Sequence, residues 1–536
     1  MRNLLRVIHI FFLLAACSRP DAQDAMVFRY NQETSIQSLD PAFAKDQANI
    51  RVVNQLFSTL IEFDSQLNII PGIAESWSVE DSGKLYRFYL RRDAFFHKDP
   101  CMNERVVTAQ DFIYSFERII DPKLASPGTW IFNGKLDSLQ AFSAPDSFTL
   151  EIRLQQAFPP FLGMLGMPYC AVVPHEAIET YGADFRKHPV GSGPFAFEYW
   201  EEGVRLILKK HPNYYEVDEA GESLPYLNGI IISFIENKQT AFLEFVQGKA
   251  DYFSGLEGSF KDELLSKEGT LRPKYAERFS LRRGPYLNTE YFGFFLDSSI
   301  QEESSNQLLN KSLRKAISFA VNRDKMMRYL RNNIGIPGNG GFIPAGLPGN
   351  SSTSQRYAFN PDSVRFYLKQ AGYPNGDGLE PIVLYTNKNY TDLTVFIQKS
   401  LEEFGIRAKI EVNPGPFHRE RVSKGQLPFF RASWLGDYPD AENYLALFYG
   451  PNKAPLGPNY THYQSARFDS LYKAAMLLSD LEERSKVYRS MDELAMEDAP
   501  VLVLFYDQTM VLVADKVQGL PSNAMNSLIL KRVKFK

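Results

Sequence analysis

The sequence predicts an α/β protein that contains two or three domains. The chain has 536 residues, of which 44% are hydrophobic and 14% aromatic, whereas single hydrophobic cores rarely organise more than about 250–300 residues. Segments with the two-residue apolar period of strands alternate along the chain with segments that have the 3.6-residue period of helices. This alternation is typical of α/β folds.

The N-terminus indicates export and lipid attachment. Arg2 and Arg6 precede an apolar run over 7–14, and small residues then lead to Cys17. The run is too short to span a membrane, which takes about 20 apolar residues. We therefore expect a lipoprotein signal peptide at 1–17, acylation of Cys17, a polar tether at 18–25, and an extracytoplasmic or periplasmic protein held at the membrane by its lipid.

Two further cysteines, Cys101 and Cys170, would then lie in an oxidising compartment. Pairing is permitted there, and a bridge would close a loop of about 70 residues, worth roughly 4 kcal/mol in the chain-entropy model. We expect a Cys101–Cys170 disulfide. The alternative is a pair of buried thiols.

The first half of the chain alternates strand and helix patterns after a turn at Asp40-Pro41. Thr108 and Asp111 form a capping box for a helix that stops at Asp121-Pro122. Gly191-Ser192-Gly193 lacks the lysine of a phosphate loop and no helix follows it, so it predicts a turn between domains. The predicted strands are 26–30, 86–91, 148–153, 171–174, 204–209 and 229–234, and the other predicted helices cover Ile50 to Leu60 and 240–247.

The second half begins near Pro285 and repeats the alternation. The glycine- and proline-rich stretch 335–349 predicts an irregular loop. Helices are predicted over 312–330, 361–371, 393–404, 465–478 and 481–496, and strands over 382–386, 406–412 and 501–506.

Charge and motifs exclude several classes of protein. The 59 basic and 63 acidic residues are interspersed and give a net charge of −4, so we expect no nucleic acid partner. The seven histidines are scattered singly, and we predict neither a metal site nor a cofactor. GxSxG and HExxH motifs are absent, so we predict that the protein is not an enzyme. A carboxylate pair at Asp437 and Asp440 leaves a glycoside hydrolase as the alternative.

The stretch RASWLGDYPDAENYL carries the best candidate site. It follows a strand-like run and places Asp437 in a turn between Trp434 and Tyr438. Aromatic rings that exclude water strengthen the pairing of a carboxylate with an ammonium group. The loop therefore predicts a receptor for an amine, and the alternative is a solvated turn residue beside core aromatics.

Six blocks in order resemble the family 5 extracytoplasmic solute-binding proteins of ABC importers, the oligopeptide- and dipeptide-binding group. They are IAESWSVEDSGKLYRFYLRRDAFFH, VTAQDFIYSFERIIDP, HPVGSGPFAFEYW with LKKHPNYYE, LRKAISFAVNRDKM, KQAGYPNG and SWLGDYPDAENYL. The resemblance implies a bilobed, type II periplasmic-binding-protein-like clam with an additional family-specific domain. It also implies a monomer that captures peptides between its lobes and delivers them to a membrane permease. Related members bind other solutes, such as oligosaccharides or metal complexes.

The resemblance also implies roles for particular residues. Asp437 would pair with the ligand ammonium and Arg431 with a ligand carboxylate, while backbone groups of Ser433 and Leu435 would pair with an extended ligand. Asp46 and Gln47 would contribute from the other lobe, with Trp434 and Tyr438 flanking. Where related oligopeptide binders carry a tyrosine, this chain has Gly128, with Trp130 close behind, and their tryptophan falls near Phe417.

We expect three domains, of which the first is discontinuous. The first lobe would comprise 26–64, 185–284 and 504–536, and the additional domain 65–184. The second lobe would comprise 285–503, with interlobe crossings near residues 284 and 503.

Overall fold

One large mixed sheet runs through both halves of the molecule. A computed structural model describes residues 26–254, 261–266, 268–298, 303–351 and 354–536. The sheet has eleven strands, ten of them in the order β15-β14-β16-β12-β17-β11-β1-β10-β9-β8, while β13 pairs with β17 beside this path. Its strands are β1 Val27–Gln32, β8 Phe195–Glu201, β9 Arg205–Lys210, β10 Gly229–Phe234, β11 Tyr252–Ser254, β12 Phe279–Phe294, β13 Ile336–Pro337, β14 Ile382–Asn387, β15 Ala408–Asn413, β16 Phe429–Leu435 and β17 Val501–Ala514.

The remaining strands form three smaller sheets. A four-stranded antiparallel sheet has the order β4-β5-β7-β6, and two hairpin-like pairs join β2 to β3 and β18 to β19. These strands are β2 Ile61–Phe63, β3 Ile69–Pro71, β4 Ala74–Glu80, β5 Leu85–Leu90, β6 Phe142–Asp146, β7 Thr149–Arg153, β18 Val517–Gln518 and β19 Lys534–Phe535.

Helices connect the strands, as the alternating pattern predicts. In chain order they are α1 Gln47–Leu56, α2 Ala109–Ile120, α3 Phe161–Met164, α4 His175–Tyr181, α5 Lys238–Val246, α6 Lys261–Leu264, α7 Pro273–Ala276, α8 Lys311–Ala320, α9 Arg323–Arg331, α10 Pro361–Gln370, α11 Thr391–Glu402, α12 Gly415–Ser423, α13 Glu442–Leu445, α14 Ala466–Ala475 and α15 Leu481–Asp498.

Two long strands, β12 and β17, pass from one half of the large sheet to the other. They pair antiparallel from Phe279 opposite Ala514 to Gly293 opposite Val501, with a register shift between Pro285 and Thr289. Such a bulge bends a strand. The two crossings that the sequence places near residues 284 and 503 therefore run inside continuous strands, and the domain boundaries themselves remain a prediction.

Three large hydrophobic cores lie around the sheet that contains these crossing strands. One core joins residues of β1 and α1 to the four-stranded sheet and α2, and includes Phe28, Val53, Phe88 and Phe116. A second packs α14 and α15 against residues 441–448, and a third packs α8, α10 and α11 against β14. Each core buries the apolar face of its helices, which is what the 3.6-residue period predicts.

The structure confirms the capped helix at the edge of the four-stranded sheet. Thr108 precedes α2, and the Asp111 carboxylate accepts hydrogen bonds from the Thr108 backbone N–H at 2.9 Å and its hydroxyl at 2.8 Å. Asp121 ends the helix. Here local capping chemistry is sufficient to fix both ends.

Two predicted elements are wrong in detail. The single helix over 312–330 is broken into α8 and α9, because the Asn322 side chain accepts a hydrogen bond from the Lys325 N–H and starts a new helix. Residues 171–174 form no strand. Their backbone is extended, but it lies in the first core rather than in a sheet.

The turn at Gly191 and Gly193 packs against the end of α1. A Cβ on Gly191 would lie 2.0 Å from the Leu56 carbonyl oxygen, and one on Gly193 would lie 2.6 Å from the Leu56 carbonyl carbon. Only glycine permits this approach. The absence of a side chain, rather than a phosphate site, explains the motif.

The expected disulfide is not formed, and Cys101 and Cys170 are both free. Cys170 is fully buried in the first core, where burial raises the pKa of its thiol. Cys101 lies at a half-buried turn, where its backbone N–H donates to the Asp99 carboxylate at 2.9 Å. The two cysteines are therefore unpaired thiols in different surroundings, which agrees with the alternative to the disulfide, except that only Cys170 is fully buried.

The predicted signal peptide, the tether and the lipid-bearing Cys17 lie outside the described residues. Among the helices of the described ranges, none has the length and apolar character needed to cross a bilayer.

Candidate functional site

A cavity of about 670 Å³ lies between the two halves of the molecule. Its walls come from several parts of the chain, most of them far apart in sequence. The main segments are residues 44–70, which include α1, residues 166–171, residues 435–439 after β16, and residues 521–532 near the C-terminus. A pocket formed by several segments at a domain junction is the usual location of a small-ligand site.

The loop after β16 is held rigidly at the cavity wall. The Gly436 N–H and the Tyr444 hydroxyl both donate to the Leu287 carbonyl, at 2.7 Å and 2.6 Å. The Asn443 side-chain oxygen accepts from the Asp437 N–H at 3.1 Å and from the Trp434 indole N–H at 2.9 Å. Trp434 therefore fixes the loop and does not line the cavity.

Asp437 presents an unneutralised carboxylate to this cavity. Its side chain is exposed to the cleft, and its one hydrogen-bond donor is the Asn443 amide at 3.5 Å. Among the described residues no lysine, arginine or histidine forms an ion pair with it. Partial desolvation by the cavity walls raises the pKa of Asp437, and the Asn443 hydrogen bond opposes this shift.

The other four carboxylates that line the cavity are already satisfied. Asp46 and Asp64 accept hydrogen bonds from backbone N–H groups. Glu62 and Glu216 form ion pairs with the ammonium group of Lys531. Burial alone would lower the pKa of Lys531, but the two glutamates outweigh burial and raise it. Asp437 is therefore the carboxylate of this cavity best placed to accept a cation from a ligand.

The open edge of β16 lies beside Asp437. This strand pairs with β12 along its whole length, whereas β14, on its other side, pairs with it only at Phe430. Successive residues of a strand direct their backbone groups to opposite sides, and Gly436 donates toward β12. The backbone groups of Leu435 and Ser433 therefore point to the open edge, where an extended ligand would find partners.

Three predicted residues line the cavity opposite or beside this loop. Asp46 caps α1 through the Asn49 N–H at 3.0 Å, and Gln47 donates to the Asn526 carbonyl at 3.0 Å. Trp130 stacks on Tyr438 at 6.2 Å between ring centres with an interplanar angle of 29°. This stack joins the part of the chain beside the four-stranded sheet to the loop after β16.

The structure places Arg431 outside the cavity wall and thereby corrects its predicted role. Its guanidinium donates to the Glu290 carboxylate at 2.5 Å and stacks 3.3 Å from the ring centre of Tyr390. Both members of the pair are buried. Because its charge is already neutralised, Arg431 is not available to a ligand carboxylate.

Phe417 is also away from the cavity. It lies on α12 with about half of its surface exposed, and the Arg421 guanidinium lies 5.6 Å from its ring centre. The predicted correspondence with a ligand-contacting tryptophan therefore does not hold.

A comparison with protein families matches residues 68–455 to the bacterial extracellular solute-binding proteins, family 5, middle region. The match covers more than half of the chain. The chain belongs to this family. The resemblance noted from the six sequence blocks is thus confirmed, and the protein is a solute-binding protein of the kind that serves ABC importers, not an enzyme.

Curated relatives match along nearly the whole chain. A probable deoxycholate-binding periplasmic protein of Escherichia coli is 25% identical over 517 residues, which are 92% of this chain and 90% of the relative. The dipeptide-binding protein of the same species is 22% identical over 484 residues, covering 87% and 86%. Both are named as binding proteins, but for different solutes.

Solved structures confirm the bilobed type II fold. HbpA2 of Haemophilus parasuis has a TM-score of 0.82 at 21% identity and covers 95% of this chain and 100% of its own. DppA of Helicobacter pylori, solved with the peptide STSA, has a TM-score of 0.73 at 25% identity and covers 95% and 98%.

Sequence reasoning missed Tyr169, which lines the cavity of this family 5 protein. Burial raises the pKa of its hydroxyl to about 12, with smaller contributions from Asp437 and then Asp46. A Cβ on Gly128 would lie 2.6 Å from the Tyr169 ring. The ring thus fills the space left at Gly128, where oligopeptide binders carry a tyrosine, and that unexpected glycine was the available signal.

Proposed function

We propose that this protein captures peptides with a free α-ammonium group in the cavity between its lobes and delivers them to the permease of an ABC importer. The observation that carries the proposal is the unneutralised Asp437 carboxylate at the end of an open strand edge. A cation placed there gains a charge-assisted hydrogen bond in surroundings that exclude much of the water.

The arrangement suits a short extended peptide. Its ammonium group would meet Asp437, and its backbone would pair with Leu435 and Ser433, whose groups are the same for every ligand sequence. Asp46, Gln47 and Tyr169 would face the ligand from the opposite wall, and Trp130 and Tyr438 would flank it. Backbone pairing combined with a roomy cavity favours tolerance of many side chains.

Cys17 completes the proposal at the other end of the chain. Acylation there would tether the protein to a membrane, so that a monomer stays close to the permease that accepts its ligand. Binding closes the lobes, and the closed form is the one that the permease recognises.

A second candidate is an apolar solute with a single polar end. Apolar side chains form much of the cavity wall, including Ile50, Val53, Phe63 and Met167. A relative of similar length is named as a probable deoxycholate-binding protein. Such a ligand would fill the cavity without pairing with the strand edge.

Native mass spectrometry of the purified protein distinguishes the two candidates. Copurified masses that fragment as short peptides support the proposal, and a steroid-like mass supports the alternative. Calorimetry with defined tripeptides then gives the affinity. An absence of binding to every free tripeptide, with a non-peptide mass in the cavity, overturns the peptide assignment.

A further inference from the structure

The Glu290–Arg431 pair lies where the carboxyl end of a bound peptide would arrive. A peptide whose ammonium group meets Asp437 runs along the open edge past Leu435 and Ser433, at about 3.3 Å per residue. After two or three residues its carboxyl end comes alongside Arg431. This step rests on the proposed function.

The open edge ends at the same place. The carbonyl of Arg431 points to the edge side, like the backbone groups of Ser433 and Leu435, and accepts a hydrogen bond from His418 Nε2 at 2.8 Å. The side chain of His418, from α12, is buried there. Backbone pairing is therefore confined to Ser433 and Leu435, and a longer ligand must leave the strand at Arg431.

The Glu290 carboxylate that holds Arg431 accepts hydrogen bonds from three side chains. Besides the guanidinium at 2.5 Å, its carboxylate accepts from the Asn288 amide at 3.1 Å and the Tyr390 hydroxyl at 3.2 Å. The face of the Arg431 guanidinium is covered by the Tyr390 ring. A ligand carboxylate would have to displace a buried carboxylate that already has three donors.

We infer that this protein recognises its peptide at the ammonium end alone, and that Glu290 acts as a built-in substitute for the ligand carboxylate at Arg431. The expected ligands are peptides with a free amino terminus and an extended backbone. Their carboxyl end can be a free acid, an amide or a further length of chain. Glu290 is a positioning residue, since it acts on the ligand only through Arg431.

The experiment uses the mature protein and four tripeptides: Ala-Ala-Ala, Leu-Ala-Ala, Phe-Ala-Ala and Lys-Ala-Ala. Each is measured by calorimetry as the free acid, the C-terminal amide and the N-acetyl form. In the wild type we expect the acid and the amide to bind within about threefold of each other. The N-acetyl form should bind at least a hundredfold more weakly.

The Glu290→Gln variant should create a preference for the free acid. With Glu290 neutral, the charge of Arg431 is no longer balanced by a buried carboxylate, and we expect the acid to bind at least tenfold tighter than the amide. Adding Arg431→Met should abolish that preference. Glu151→Gln is the matched control, because it breaks a Glu–Arg pair, with Arg87 at 2.9 Å, that lies in the four-stranded sheet and not on the strand beside the proposed ligand.

The acid-to-amide ratio separates the possible results. A loss of stability alone would weaken both ligands equally and leave the ratio unchanged. If the wild type binds the acid more than tenfold tighter than the amide, the inference is overturned. The proposed function still stands in that case, provided that N-acetylation weakens binding. An unchanged ratio in Glu290→Gln, with the variant folded and binding, also overturns it. If no tripeptide binds in any form, the function and the inference fall together.

Discussion

Replacing Asp437 with asparagine tests the ammonium site most directly. Asparagine has the same shape and still bonds to Asn443, so the loop after β16 keeps its geometry. A ligand ammonium group would then sit in the cavity without a counter-charge. Breaking one partner of a desolvated charge pair costs about 3–5 kcal/mol, which corresponds to two to four decades of affinity at about 1.4 kcal/mol per decade.

N-acetylation of the peptide removes the other partner. It should weaken binding to the wild type by a similar amount, because Asp437 is then left desolvated and unpaired. In the Asp437→Asn variant the same acetylation should matter much less. A double-mutant cycle over the four combinations should therefore show a coupling of about 2 kcal/mol or more.

Asp64→Asn serves as the matched control for this cycle. Asp64 also lines the cavity, but its carboxylate is satisfied by the Gln66 and Asn68 backbone N–H groups at 2.8 and 2.9 Å. We expect no coupling with acetylation there. Additive losses at Asp437, or an acetylated peptide that binds the wild type as well as the free one, would make Asp437 a structural turn residue.

Three further predictions concern stability and the thiols. Gly128→Ala places a methyl group 2.6 Å from the Tyr169 ring. Chemical denaturation should then show a free energy of unfolding lower by about 1–3 kcal/mol, and peptide binding should be weaker. An unchanged stability and affinity would contradict the packing argument. Burial raises the pKa of Asp492 to about 6, whereas the pKa in the unfolded chain is about 3.9. Between about pH 4 and pH 6 the Asp492 carboxyl is therefore protonated in the folded protein and ionised in the unfolded chain. The wild type should therefore lose up to about 3 kcal/mol of stability relative to Asp492→Asn as the pH rises from 4 to 6, and parallel pH profiles would refute this. Cys101 and Cys170 should both be alkylated in denatured, unreduced protein. If both resist alkylation until a reductant is added, the two cysteines form a disulfide after all.

Local chemistry explains which parts of the fold could be predicted from the sequence. The capping box at Thr108 and the alternation of β14 and β15 depend on residues within a few positions of one another. By contrast, β17 extends to Ala514 through the polar stretch Asp507-Gln508-Thr509, where the two-residue apolar period fails. Its long partner β12 runs beside it to Phe279 opposite Ala514, with a register shift at the polar stretch, and no local pattern could reveal that.

The same distinction applies to the candidate site. The location of Asp437 at the cavity was predictable, because its turn, its aromatic neighbours and its family block lie within one short stretch. The roles of Arg431 and Tyr169 were not, because each depends on a partner far away along the chain. Glu290 is 141 residues from Arg431, and Tyr169 approaches Gly128 only after the chain beside the four-stranded sheet has folded.

In the proposed mechanism, the position of Asp437 would also link the charge of the ligand to closure of the lobes. Asp437 and Asp46 both line the cavity, and both add to the burial that raises the pKa of the Tyr169 hydroxyl. Without a cation between them, closure brings like charges together in surroundings of reduced dielectric, which is unfavourable. A ligand ammonium group reverses the sign of that contribution. Because a ligand shifts a conformational equilibrium only by its differential affinity for the two states, we expect a ligand with the ammonium group to favour the closed form more than its N-acetyl form does.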